Sequence, residues 1–165
     1  MICCPHGCSC GFLTDPRREC RCSPREIANS RSRISGPLLD RIDLHIDVPP
    51  VEYHELAGDR PGEPSSTIRE RVEAARSRQL GRFAGEPVFT NGQMSVGHTR
   101  RFCRLDGEGQ TLLRQAMDAL GLSARAYNKI LKVARTIADL DQSDGIQAHH
   151  VAEAVNYRTL DRALW

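Results

Sequence analysis

No GxxxxGKS/T stretch occurs anywhere in the 165 residues, and no apolar strand ends in paired acidic residues that would hold magnesium. A complete phosphate-loop nucleotide site therefore cannot be assembled from this chain alone. Also absent are an apolar run approaching the ~18 residues of a membrane helix and a basic start followed by an apolar signal segment. A soluble, cytoplasmic protein is expected. Lysine is nearly missing, with Lys129 and Lys132 the only two, so the positive charge is almost all arginine. That bias suits phosphate contacts, and a GC-rich coding bias accounts for it equally well. The formal net charge of +2 and the pI near 8.2 are too mild to argue for nucleic acid by themselves. At this length the chain can bury one modest core, or one small domain and part of another.

Cysteine, by contrast, is concentrated. Six of the seven lie within residues 1–22, MICCPHGCSCGFLTDPRRECRC. Cys8-x-Cys10 and Cys20-x-Cys22 form two close pairs separated by a Gly, Asp and Pro segment that favours a turn. Paired thiolates brought together by a turn supply the four soft ligands of a tetrahedral zinc site. A redox pair, or reduced thiols holding nothing, are the alternatives; structural disulfides do not fit a cytoplasmic protein.

Ser23-Pro-Arg-Glu26 starts a helix, with a serine cap, proline at the first helical position and glutamate completing a capping box. The helix is expected to run from 24 to about 33. Beyond it lies Ser35-Gly-Pro-Leu-Leu-Asp-Arg-Ile-Asp-Leu-His-Ile-Asp-Val48. From Ile42 to Val48, apolar Ile42, Leu44, Ile46 and Val48 alternate with polar residues, the period of a half-buried strand that Pro49-Pro50 ends. Asp40-Arg41 then sits at a helix-to-strand junction, where a long cationic side chain projects outward. His45 points away from the apolar face, and is not taken as a base. Residues 1–48 would be the end of an α/β core, and a lone strand of that core needs a partner.

Residues 49–66, rich in Pro, Gly and Ser among charges, read as a linker. Residues 67–165 read as a bundle of four or five helices. Thr67-x-x-Glu70 offers a capping box for the first, with Ile68, Val72, Ala75 and Phe83 on its inner side. Ser95 caps a short helix ending near a buried Cys103. Asp106 opens a helix stopped by Gly121, and Ser123 caps the most strongly patterned one, running to about Leu140. A last helix ends near Tyr157. Arg125, in the first turn after Ser123, opposes the helix dipole, so helix stability does not explain it. Arg135 suits packing or a buried ion pair with Asp139 one turn on. His149 and His150 diverge by ~100° on a helix and suit a cap and a helix face better than chelation.

Three stretches carry a resemblance. CSCG, Asp15-Pro16 and CRCSP are similar to a CPCG…DP…CRC-S/T-P segment of magnesium-chelatase-like AAA+ ATPases, the bacterial YifB/ComM family among them. SGPLLDRIDLHIDVP resembles the segment carrying that family's arginine finger, and LSARAYNKILKVARTIADL resembles its sensor-2 helix in the helical lid. The family reads Asn-Pro before CPCG, where this chain has His6-Gly7, so no water-orienting role is given to His6.

The resemblance implies a mainly α fold, a helical AAA+ lid bundle preceded by the last helix and strand of an incomplete α/β ATPase core. It implies Arg41 as a finger reaching a neighbouring subunit's nucleotide, Arg125 as sensor 2, and Cys8, Cys10, Cys20 and Cys22 as a family feature. ATP and Mg2+ would be bound only where the missing phosphate-binding part is present, together with a Lon-like N-terminal domain. It implies a ring, a hexamer, and for the ComM branch a helicase driving DNA branch migration in natural transformation. A zinc-stapled helical module that binds DNA or a protein partner without hydrolysis is the alternative, and an inactive fragment a third.

Overall fold

Local capping signals set most helix boundaries before any packing is considered. The computed structural model describes residues 8–13, 15, 17–32, 41–46, 48, 51, 57–58 and 62–158. Within them the helices are α1 (Pro24–Ser32), α2 (Ser65–Arg82), α3 (Val96–Phe102), α4 (Gly107–Leu120), α5 (Ala124–Leu140) and α6 (Ala148–Asn156), with a 3-10 turn at Asn91–Gln93. The Ser23–Glu26 box forms as expected: Glu26 Oε2 accepts from the Ser23 N–H at 2.8 Å, and Ser23 Oγ accepts from the Glu26 N–H at 3.3 Å. Asp106 Oδ1 accepts from the Gly109 N–H at 2.7 Å, and Ser123 Oγ from the Ala126 N–H at 3.2 Å. Gly121 ends α4 in the left-handed region at φ 61°, where a side chain would be strained.

The second capping box goes unused. Helix α2 begins at Ser65, two residues before Thr67, with Pro64 as its cap and no side-chain cap hydrogen bond. Proline fixes φ near its helical value and turns the chain into the helix there. The expected inner face is also only half realised: Ala75 and Phe83 are buried, whereas Ile68 and Val72 are exposed. Only the C-terminal part of α2 reaches the bundle.

The core centres on α5, which packs against α2, α3 and α6. Ala126, Ile130, Ala134 and Ala138 are fully buried on it, and Val151 and Ala154 meet them from α6. Alanine at 134 and 138 permits close approach of the neighbouring backbone. Leu113 from α4, and Phe83, Met94 and Cys103 around it, complete the cluster. Burial pushes the Cys103 thiol up to about 11, as fits the small buried apolar residue expected there.

The alternating stretch departs from expectation. Among its described residues no ladder forms, and the pattern is inverted: His45 is 9% exposed, while Leu44 and Ile46 are 46% and 64% exposed. A strand needs neighbours to satisfy its backbone, and this chain offers it helices. The segment therefore docks on the bundle. The His45 N–H donates to the Tyr157 carbonyl at 2.8 Å, and the buried Arg158 guanidinium donates to the Ile42 carbonyl. Asp47, Pro49, Pro50 and the Ser35–Asp40 turn lie outside the described residues, as does most of the 49–66 linker.

Candidate functional site: an arginine cavity and a four-cysteine cluster

Helix α5 presents Arg125 in its exposed first turn, and Lys129 and Lys132 follow at the spacing of one face. Lys129 Nζ lies 2.5 Å from the Arg41 carbonyl oxygen and 2.6 Å from Asp43 Oδ1, so it ties the docked segment to α5. The result is a cavity of about 360 Å³ lined by Arg41, Arg125, Lys129 and Lys132, with Met94, Val96, Thr99 and Asn128. The two arginines singled out from sequence thus share one cavity. No acidic residue lines it, and neither guanidinium has an ion-pair partner among the described residues. Such a concave, cationic wall is suited to an oxyanion. Lys132 is partly engaged elsewhere, donating to the Gly92 carbonyl at 3.1 Å. Sequence reasoning missed Lys129; its spacing of four from Arg125 was the available signal.

The four cysteines also meet. A reverse turn, in which the Asp15 N–H donates to the Phe12 carbonyl, folds one CxC pair onto the other. Gly11, at φ 80°, makes the tight return after Cys8. The sulfurs of Cys8, Cys10, Cys20 and Cys22 all lie within 4.8 Å of one another, and the closer pairs are 3.3, 3.6 and 3.7 Å apart. A tetrahedron with metal–sulfur bonds of about 2.3 Å has edges of about 3.8 Å, so the spacing fits a thiolate-bound ion. It is far beyond a disulfide's ~2.05 Å, and all four are free thiols.

The thiols ionise unequally. Burial pushes Cys8 up, but hydrogen bonds from the Cys10 and Cys20 thiols and from the Gly11 and Leu13 amides outweigh it and bring it to about 6. A Cys22 backbone hydrogen bond favours the Cys20 thiolate, yet burial and the three neighbouring thiols push it up to about 12. Four thiolates this close need a shared cation to ionise together. No cysteine of this cluster lines the arginine cavity.

Arg135 belongs to a different arrangement. Its guanidinium is 3.2 Å from Asp139 Oδ1 at i+4, and donates to the Ser143 and Asp144 carbonyls at 2.6 and 2.7 Å. Arg82 grips the same carboxylate bidentately, with Nη1 2.7 Å from Oδ2, and Asn91 Nδ2 adds a bond at 2.8 Å. This buried network joins α2 to α5 and caps the loop after α5. The ion pair with Asp139 was readable from spacing; Arg82 and Asn91, far off in sequence, were not.

His149 and His150 do not diverge as expected. Both Nε2 atoms face Asp141 Oδ2, at 3.6 and 3.1 Å, and the rings lie 3.9 Å apart. The three could hold an ion by distance alone. However, His150 Nδ1 accepts the Gln147 N–H at 2.9 Å. Its proton must then be on Nε2, directed at Asp141, and neither nitrogen keeps a lone pair for a metal. His150 is the buried half of a capping box, which is the cap expected from sequence.

A lid-like helical bundle with an arginine cavity, preceded by a cysteine-rich fragment, defines a class, and comparison with known proteins gives its family. The family described as "Magnesium chelatase, subunit ChlI C-terminal" matches residues 62–158, and "Magnesium chelatase, subunit ChlI" matches residues 1–56. The chain belongs to the magnesium chelatase family. It is 43% identical over 145 residues to "Uncharacterized protein YifB" of Escherichia coli (strain K12), covering 87% of this chain and 28% of that protein. It is likewise 43% identical over 146 residues to "Competence protein ComM" of Haemophilus influenzae, again 87% of this chain and 28% of the relative. An uncharacterized Mycobacterium bovis protein is 32% identical over 164 residues, 96% of this chain and 31% of the relative. The chain therefore spans less than a third of the length of these relatives. Among the described residues, no helix is long and apolar enough to cross a membrane.

Proposed function

We propose that this chain is the C-terminal part of an AAA+ ATPase that assembles as a head-to-tail ring, a hexamer, with Arg41 as arginine finger and Arg125 as sensor 2. The observation that carries this reading is the sharing of one acid-free cavity by Arg41 and Arg125. Their common cavity supports a reading in which both meet the same phosphate. A finger reaching a neighbouring subunit's ATP then brings Arg125 with it, and both neutralise charge developing on the transferred phosphoryl group. A trans arginine is worth about 10³–10⁵ in rate in well-studied cases. Neither residue makes or breaks a bond. Magnesium would accompany the nucleotide on the phosphate-loop side, outside these residues. A finger supplied in trans requires closed, heterologous contacts, which supports the ring.

The cysteine cluster would hold zinc as a structural staple at the edge of the ATPase core, where a bound ion supplies cross-linking and no chemistry. The relative named for competence supports assigning the motor to DNA handling, as a branch-migration helicase in natural transformation.

The test joins this chain to the nucleotide-binding part of a YifB relative and measures ATP hydrolysis. Arg41→Ala is expected to lower the rate at least ~100-fold, and mixing it with a subunit whose phosphate loop is inactivated is expected to restore part of it. An unchanged rate in Arg41→Ala would remove the finger assignment and leave a non-hydrolytic module as the reading.

A further inference from the structure

A second, larger cavity adjoins the arginine cavity. It measures about 870 Å³ and is bounded by α3, α4 and α5. The two share Val96, Thr99 and Asn128 as walls, so they lie side by side. The larger one carries Arg100, Arg104 and Arg114, all exposed, and no acidic residue lines it. None of the three guanidiniums has an ion-pair partner among the described residues. Acidic residues nearly equal basic ones over the whole chain, 21 against 23, so an acid-free cleft reflects segregation of charge and not a general excess. A phosphate gathered by Arg41 and Arg125 leaves these three arginines without an anion.

The remaining walls narrow the choice of ligand. Tyr127, 42% exposed, lines the cleft and offers an aromatic face. Gln110 Nε2 donates to the Leu105 carbonyl, and Asn128 Nδ2 to the Ala124 carbonyl, each at 3.1 Å. Both amides have thus committed a donor, and their side-chain oxygens remain as acceptors beside the arginines. An acidic peptide also brings anions for the arginines, and its backbone N–H groups can meet those oxygens, but a polyacidic one has no flat aromatic face to set against Tyr127. A nucleotide strand brings phosphates for the arginines, base faces for the tyrosine, and base amino groups for the amide oxygens. The volume, near the top of the ~300–1,000 Å³ range of ligand pockets, also exceeds what a single phosphate needs.

We infer that this cleft binds a single-stranded nucleic acid, its phosphates on Arg100, Arg104 and Arg114 and a base stacked on Tyr127. The inference deepens the DNA-handling part of the proposed function by giving the strand a site on the lid, and it does not depend on hydrolysis. The experiment uses the full chain without ATP and measures fluorescence anisotropy of a labelled 12-nucleotide oligodeoxyadenylate, whose bases carry amino groups, as salt is raised. Three phosphate contacts predict that Arg100→Ala/Arg104→Ala/Arg114→Ala makes the log–log salt slope shallower by about 2 and weakens binding at least ~30-fold near 0.1 M salt. Tyr127→Leu is expected to weaken binding about 10-fold with the slope unchanged, as loss of stacking requires.

Circular dichroism checks that both variants fold, which exposed positions allow. Oligonucleotide binding unaffected by the triple variant, or no binding by the parent chain, overturns the inference. So does equal binding of a labelled polyglutamate of the same length, which would assign the cleft to an acidic polypeptide. Basal ATP hydrolysis by the joined assembly, measured on the same triple variant, is expected to persist. A loss of nucleic-acid binding is thereby kept apart from a failure of the finger assignment.

Discussion

The Lys129 ammonium lies 2.6 Å from the Asp43 carboxylate, bridging the central helix to the segment that carries Arg41. The same ammonium meets the Arg41 carbonyl oxygen at 2.5 Å, one helical turn from Arg125. The position of one arginine relative to the other is therefore fixed by a lysine that touches the main chain of the first and shares a helix with the second. With Asp43 69% exposed at its side chain, the pair contributes little to stability, about 0–1 kcal/mol. Its consequence is positional.

Lys129→Ala is accordingly expected to leave the melting temperature within a few degrees while lowering hydrolysis by the joined assembly about 10–100-fold, because small misplacements of a phosphate ligand are costly. Lys129→Arg, which keeps a cationic donor for both oxygens and leaves the cavity free of acid, is expected to recover part of the rate. Parallel thermal and steady-state assays check both.

The Arg82–Asp139–Arg135 network makes the opposite prediction. Asp139 is fully buried and Arg135 nearly so. Removing Asp139 strands the buried Arg135, so Asp139→Ala is expected to cost about 3–5 kcal/mol, whereas Arg82→Ala leaves Asp139 paired with Arg135 and Asn91 and is expected to cost less, about 1–3 kcal/mol. Urea unfolding of the full chain reads this directly. A cost below about 1 kcal/mol for both would mean that the network contributes specificity and not stability.

Acid is expected to weaken the junction between α5 and α6. Burial lowers the pKa of His150, the neighbouring His149 adds to the shift, and the Asp141 hydrogen bond opposes it. The unfolded chain then binds more protons than the folded one, and stability rises with pH across the interval between the two pKa values. The contribution is complete above the unfolded value of about 6.5 and is lost as pH falls through the lower folded value. Unfolding free energies measured at pH 5, 6 and 7 should show this slope, and His150→Asn should flatten it.

Metal binding by the cysteine cluster is checked with cobalt. The chain purified with Co2+ is expected to take up one ion and show the intense visible absorption of a tetrathiolate site. Cys8→Ser, which removes the buried ligand, is expected to abolish that band. Uptake should fall as pH is lowered, because the thiolates must lose protons to bind. The same spectrum from Cys8→Ser would show that the cluster is not the site.

Much of this was readable from residues alone because the signals are local. Ser23 with Glu26, Asp106 and Ser123 cap their own helices within three residues, and Gly121 stops one. The α5 stripe repeats at the helical period, and Arg135 reaches Asp139 across a single turn. The CxC pairs with a turn between them bring sulfurs together wherever the fragment sits. The Thr67 box failed for a local reason too, since Pro64 had already turned the chain into the helix.

Tertiary structure decided what depends on which neighbours a segment finds. Residues 42–46 carry a strand's alternation, but the pattern states only which side chains prefer burial, not that another strand is present to receive them. Helices α5 and α6 receive the segment instead, and the buried residue becomes His45. The meeting of Arg41 with Arg125 and the grip of Arg82 on Asp139 join residues distant in sequence. So does the acid-free cleft between α3, α4 and α5. Sequence determines each side chain's charge and local frame; only packing decides which charges share a cavity, because the interaction depends on distance in space and on the water excluded between them.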